Sequence, residues 1–241
     1  MKRVLRGKLR LFCPCARCSS LWRMIISSGR SYIFVHIPKT GGTSMALALE
    51  GRAMKDDILI GDTPKARKRR KRIAGVTSAG RLWKHSTLAD IDGLVTPAQI
   101  AAAFTFTLVR NPWDRMVSYY HWLREQGFDH PAVTLAKSRD FSSFLNDPQT
   151  AGAFRAAPYG SYMRAADGQE YCRAFIRLEH LEEDCAPLWA HLGFRLQPGV
   201  ANRSRRARDF RAFYSDRDAE TLAAICRDDI VRFGYGFHAQ R

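Results

Sequence analysis

The sequence predicts a three-layer α/β fold, a central parallel sheet flanked by helices, in one domain. Three places carry that expectation. An apolar run, "SYIFV" (31–35), ends in a glycine turn and leads into the helix-like "SMALALEGRAM". A second run, "AAAFTFTLVR" (101–110), is rich in β-branched and aromatic residues, is halted by "NP" and is followed by helical spacing. A third, "FIRLEH", gives way to another helical pattern. Strands that alternate with helices indicate a parallel sheet covered by helices.

The 241 residues, 46% hydrophobic, suffice to bury a sizeable core. Residues 1–30 read as a basic N-terminal extension: Lys2, Arg3, Arg6, Lys8, Arg10, Arg17, Arg23 and Arg30 stand there without an acid or a sustained periodicity. The domain is expected over residues 31–241, where the texture turns to strand, turn and helix. No stretch reaches the ~20 uninterrupted apolar residues of a membrane helix, and the basic amino terminus has too short an apolar part for a signal-peptide core. The chain is therefore expected to be soluble and cytoplasmic, with no transmembrane segment. The six cysteines are expected to be reduced. Three of them form "CPCARC" (13–18), which holds a CxxC but lacks the four ligands of a closed zinc site and reads as part of the tail.

Lys+Arg 39 against Asp+Glu 23 gives a formal charge of +16, which favours an anionic partner without choosing one. The block "KARKRRKR" (65–72) reads as a solvated loop, because like charges repel in a packed element. No aromatic residues interleave with it, so nucleic acid is not the expected partner. Behind Asn111, Pro112 suits a first helical turn, and Met116, Tyr119, Tyr120 and Leu123 recur at helical spacing. After "FIRLEH" a helix is expected from about Leu181 to Gly193.

The chemistry is densest in "HIPKTGGTS" (36–44). A strand that ends in glycines and runs into a helix offers free backbone N–H groups and the positive end of the helix dipole to an anion. Thr43 and Ser44 add hydroxyl donors and Lys39 a mobile charge. In a Walker A loop the lysine follows the last glycine and precedes the hydroxyl that holds magnesium. Here Thr43 stands in the lysine's place, and the lysine lies three residues before Gly42, so the loop is P-loop-like without the metal-bound nucleotide grip.

"FVHIPKTGGTS" resembles the 5′-phosphosulfate loop of the Golgi-type carbohydrate sulfotransferases and their bacterial relatives, which use 3′-phosphoadenosine 5′-phosphosulfate (PAPS). "LVRNPWDRMVSYY" (108–120), some 70 residues on, is similar to the family's second motif. There an arginine ending a strand and a serine in the next helix hold the 3′-phosphate, and Arg110 and Ser118 occupy those positions. The stretch from "RLEHLEEDCAPLWAHLGF" to "FGYGF" resembles the family's carboxy-terminal pattern, so the likeness covers about residues 32–238.

The resemblance implies a PAPS-dependent sulfotransferase with PAPS as co-substrate and no metal, acting on a hydroxyl, expected to be that of a glycan or glycolipid. Lys39, Thr40, Gly41, Gly42, Thr43 and Ser44 are the expected 5′-phosphosulfate residues, and Arg110 and Ser118 those of the 3′-phosphate. Lys39 would meet the bridging oxygen as charge develops there. His85, in "WKHSTLADI", matches a family histidine and is the expected general base. His36, read as buried packing, and His121, three residues beyond Ser118, are its rivals. Arg177 and Glu179 read as an ion pair bracing a strand end, "FGYGF" as aromatic packing, and Ser204 or Arg205 as further residues within reach of the 3′-phosphate. A P-loop kinase using ATP and a basic nucleic-acid-binding protein are the alternatives. The displaced lysine argues against the first, and charge alone supports the second.

Overall fold

The computed structural model describes residues 23–61, 63–83, 85–199, 207 and 209–238. Along the chain run β1 (Arg23–Ser27), β2 (Tyr32–Val35), α1 (Gly42–Gly51), β3 (Ile58–Gly61), α2 (Pro64–Arg69), α3 (Pro97–Ala102), β4 (Phe104–Val109), α4 (Pro112–Arg124), α5 (Pro131–Ser138), α6 (Phe141–Leu145), α7 (Pro148–Arg155), α8 (Tyr159–Tyr162), β5 (Ala174–Arg177), α9 (Leu181–Asp184), α10 (Ala186–Leu192), α11 (Asp216–Ile225) and α12 (Arg227–Phe233). They form two compact units. One holds the whole sheet with α1 to α3 and α8 to α10, and the other holds α4 to α7 with α11 and α12.

The five-stranded sheet has the order β3-β1-β2-β4-β5. β2, β4 and β5 are parallel, with Tyr32 opposite Phe104 and Val109 opposite Arg177, while β1 runs antiparallel to both of its neighbours. On one face Ile25, Tyr32, Phe34, Leu59, Phe106, Leu108 and Ile176 pack with Met45, Ala46 and Leu49 of α1 and Leu188 and Trp189 of α10. Residues alternating with these, Ile33, Val35, Thr105, Thr107 and Val109, are buried as well. Burial on both faces is why these strands read as continuous apolar runs rather than as alternations.

The sheet begins inside the stretch read as a basic extension. Met24, Ile25 and Ile26 are buried on a central strand, and β1 closes a hairpin onto β2 with Ile25 opposite Phe34. The remainder of that extension, with "CPCARC", lies outside the described residues. The run 101–110 is divided: Ala101 and Ala102 end α3, whose start is set by Pro97 and a capping box between Thr96 and Gln99, and the strand occupies 104–109.

The block 65–72 is α2 followed by a 3₁₀ turn, Arg70–Arg72, rather than a loop. Thr63 caps α2 by accepting from the Ala66 N–H, and Ala66 is buried. The charges are tolerated because several of them donate to carbonyls in the last turn of α1 and just beyond it: Lys65 Nζ to Glu50 O at 2.7 Å, Arg69 Nη1 to Met54 O at 2.7 Å, and Arg72 Nη1 to Lys55 O. Cations there meet the negative end of a helix dipole.

In the second unit Met116, Tyr119, Tyr120 and Leu123 of α4 are buried, as their spacing predicts. Tyr120 lies 5.2 Å from Phe144 and 5.5 Å from Phe141 between ring centroids, and Phe237 packs on Trp113, Phe210 and Tyr214. The buried Asp218 carboxylate accepts from Ser142, Asn146 and Ser215. Burial pulls its pKa up, but these bonds outweigh that and hold it below the ordinary carboxylate value. Cys185 and Cys226 are buried thiols, and burial pushes both up to about 12. No helix among the described residues is long and apolar enough to cross a membrane.

Candidate active site

The carboxyl ends of β2, β4 and β5 lie side by side, the place where open α/β sheets bind ligands. Residues 36–41 leave β2 and turn into α1. Lys39 holds a left-handed φ of 66°, which costs a side-chain-bearing residue about 1 kcal/mol. The Thr40 hydroxyl donates to the Ile37 carbonyl at 2.8 Å, tying the turn from inside. Gly41 follows at φ 83° and opens α1 with no side chain capping its first N–H groups. The start of α1 therefore has no side-chain cap of its own, the arrangement suited to an anion.

Both glycines are fixed by their neighbours. A Cβ on Gly42 would stand 2.4 Å from Cδ2 of His36, and one on Gly41 would stand 2.6 Å from Cδ1 of Leu178 in addition to its left-handed backbone. His36 is therefore the floor beneath the loop, fully buried. His85 is buried beside it, ring centroids 5.3 Å apart, and Trp83 packs edge-on to His85 at 5.2 Å. Nδ1 of His85 bonds the His36 carbonyl at 3.1 Å. A carbonyl only accepts, so Nδ1 carries the proton in the neutral ring and Nε2 is the acceptor nitrogen.

Arg110 follows β4 and donates from Nη1 to the Lys39 carbonyl at 3.2 Å, so the two motifs meet across 71 residues of sequence. Its own carbonyl accepts from the Tyr159 hydroxyl. The next N–H, that of Asn111, donates to Glu179 Oε1 at 2.8 Å. Arg177 and Glu179, read together as bracing the strand end, each have a distinct partner: Glu179 the Asn111 N–H, and Arg177 the Asp184 carboxylate. Arg177 forks onto Asp184, Nε to Oδ2 at 2.8 Å and Nη2 to Oδ1 at 2.9 Å, because one helical turn in α9 returns Asp184 to the strand end. Burial pulls the Asp184 carboxyl up, but the bonds from Arg177 prevail and hold it below its ordinary value.

Ser118 and His121 lie on α4, in the other unit. Ser118 is buried, and His121 packs edge-on to Phe213 at 5.1 Å. Thr43 is buried in the first turn of α1 and Ser44 partly so. Ser204 and Arg205 lie outside the described residues, as does Lys84 beside His85. Among the described residues no group of three or more His, Cys, Asp or Glu converges as a metal site. Sequence reasoning missed Glu179 in its actual place, Tyr159, and the steric partners of the glycines. Glu179, Tyr159 and Leu178 had no local signal, since each meets its partner from a distant part of the chain, while His36 meets Gly42 only through the way the turn between them closes.

A family model described as "Sulfotransferase family" matches residues 22–236. No curated protein matches the chain. Among solved structures the chain is similar to the crystal structure of mouse sulfotransferase SULT7A1 complexed with PAP. The identity is 12%, 85% of each chain is covered and the TM-score is 0.43.

Proposed function

We propose that this chain, which belongs to the sulfotransferase family over residues 22–236, moves a sulfuryl group from PAPS to a hydroxyl of a carbohydrate. The observation that supports this best is the glycine loop between β2 and α1, whose helix start no side chain caps, with the Lys39 carbonyl held by Arg110. The main-chain N–H groups at the start of α1, with the Thr43 and Ser44 hydroxyls, receive the 5′-phosphate end, and Gly41 and Gly42 let it approach the backbone. Arg110 offers two forked donors to the 3′-phosphate, the group that distinguishes PAPS from ATP.

In the transfer the acceptor oxygen attacks sulfur, the bond from sulfur to the bridging oxygen breaks, and its electron pair leaves with adenosine 3′,5′-bisphosphate. Lys39 meets the charge that builds on that bridging oxygen, an electrostatic contribution realised mainly in the transition state. His85 Nε2 takes the acceptor's proton, with the tautomer fixed by the His36 carbonyl. The protein otherwise aligns donor and acceptor.

Thermal melting with adenosine 3′,5′-bisphosphate, ATP with magnesium, and duplex DNA tests the proposal, since a ligand of the native state raises Tm by mass action. Stabilisation by the bisphosphate is expected. Stabilisation by ATP with magnesium and none by the bisphosphate would replace this reading with a kinase.

A further inference from the structure

The turn after β5 touches both phosphate motifs and belongs to neither. Leu178 lies over Gly41, where a Cβ would come within 2.6 Å of its Cδ1. Glu179, the next residue, accepts the Asn111 N–H at 2.8 Å, directly after Arg110. The register explains the second contact. Val109 pairs with Arg177, and beyond that point β5 turns into the 3₁₀ segment Leu178–His180, so the strand ladder no longer supplies a partner for the next N–H on the β4 side. Glu179 takes over as acceptor through its side-chain oxygen. Asn111 is also restricted to extended backbone by Pro112, so fixing its N–H fixes the direction in which Arg110 leaves the strand. The same guanidinium reaches the Lys39 carbonyl.

We propose that Glu179 is a positioning residue for the 3′-phosphate: through the Asn111 N–H it aims Arg110, and it does so as a hydrogen-bond acceptor, not as a charge. The proposal rests on the PAPS-dependent reading above and adds to it a residue that makes no contact with the nucleotide.

The test compares the full chain with Glu179→Ala and Glu179→Gln. Affinities for adenosine 3′,5′-bisphosphate and for AMP, which lacks the 3′-phosphate, are measured by calorimetry, with Tm recorded without ligand. In the alanine variant the preference for the bisphosphate over AMP is expected to fall about tenfold, in keeping with a lost hydrogen bond. The glutamine variant, whose amide oxygen still accepts, is expected to restore it. A merely structural role would lower Tm and weaken both nucleotides alike, leaving their ratio unmoved. An unchanged ratio in the alanine variant, or a glutamine variant as impaired as alanine, overturns the proposal. Glu179→Met, which keeps the length without an oxygen, makes the same comparison if the alanine variant does not fold. If the parent chain binds no bisphosphate, the PAPS reading itself falls and this inference with it, an outcome distinct from a parent that binds and variants that do not differ.

Discussion

Arg110 Nη1 donates to the main-chain carbonyl of Lys39 at 3.2 Å, so the arginine assigned to the 3′-phosphate also braces the residue assigned to the leaving oxygen. On the proposed roles, binding and chemistry would be coupled at Arg110. Arg110→Ala is expected to weaken adenosine 3′,5′-bisphosphate by about tenfold or more, for a lost charge-assisted contact, and to lower kcat at saturating PAPS. Arg110→Lys keeps a charge without the fork and should recover only part of either. Calorimetry and initial rates check both, and a loss confined to affinity would detach the brace from catalysis.

Lys39 should show the opposite balance. Lys39→Ala is expected to reduce kcat by roughly 10²–10³ with little change in bisphosphate affinity, as for a donor used mainly in the transition state. Because the residue sits at φ 66°, Lys39→Gly should be as inactive yet more stable than Lys39→Ala by about 1 kcal/mol. Denaturant melts of the two variants measure the difference directly.

The fit of Gly42 over His36 predicts a compensating pair. Gly42→Ala drives a methyl group against the imidazole and should lower Tm and abolish nucleotide binding. His36→Ser in the same chain opens the space and should return part of both. If the double variant remains as impaired as Gly42→Ala alone, the clash is not what fixes glycine at this position.

His85→Ala removes a proton acceptor without a phosphate contact. Turnover should fall by a factor of about 10² to 10⁴ while bisphosphate affinity persists, and the acidic limb of the rate profile should flatten. Most of the activity surviving with that limb unchanged would move the base elsewhere, with His121 the next candidate.

Asp218 gives a dependence of stability on pH. Its folded pKa lies below the ordinary value, so the folded state holds its proton less tightly than the unfolded chain does. The contribution is present in full above the unfolded value of about 3.9 and is lost as pH falls through the lower, folded one. The Tm gap between the parent and Asp218→Ala should accordingly be wide at pH 7 and narrow below about pH 4. A gap that stays constant across that range would remove the charge from the explanation.

What the sequence determined by itself is local. The strands, the helix starts at Pro112 and near Leu181, and the anion loop follow from apolar runs, caps and glycines, whose effects act within a few residues of chain. The β1 hairpin was also local, "MII" and "YIF" across a serine-glycine turn, but the basic residues around it masked the pattern. A block of like charges read as loop became α2, because carbonyls at and past the end of α1 accept its cations and no sequence window displays them. Only the tertiary structure decided that Arg177 belongs to Asp184 and Glu179 to the Asn111 N–H, that His36 supports Gly42, and that Arg110 meets Lys39. The contacts of Glu179 with Asn111 and of Arg110 with Lys39 depend on which strand ends lie adjacent in a parallel sheet, whereas those of Arg177 with Asp184 and of His36 with Gly42 depend on how the turn leaving one strand closes. Adjacency of that kind is fixed by packing over the whole unit, and the residues it joins carry no mark of one another.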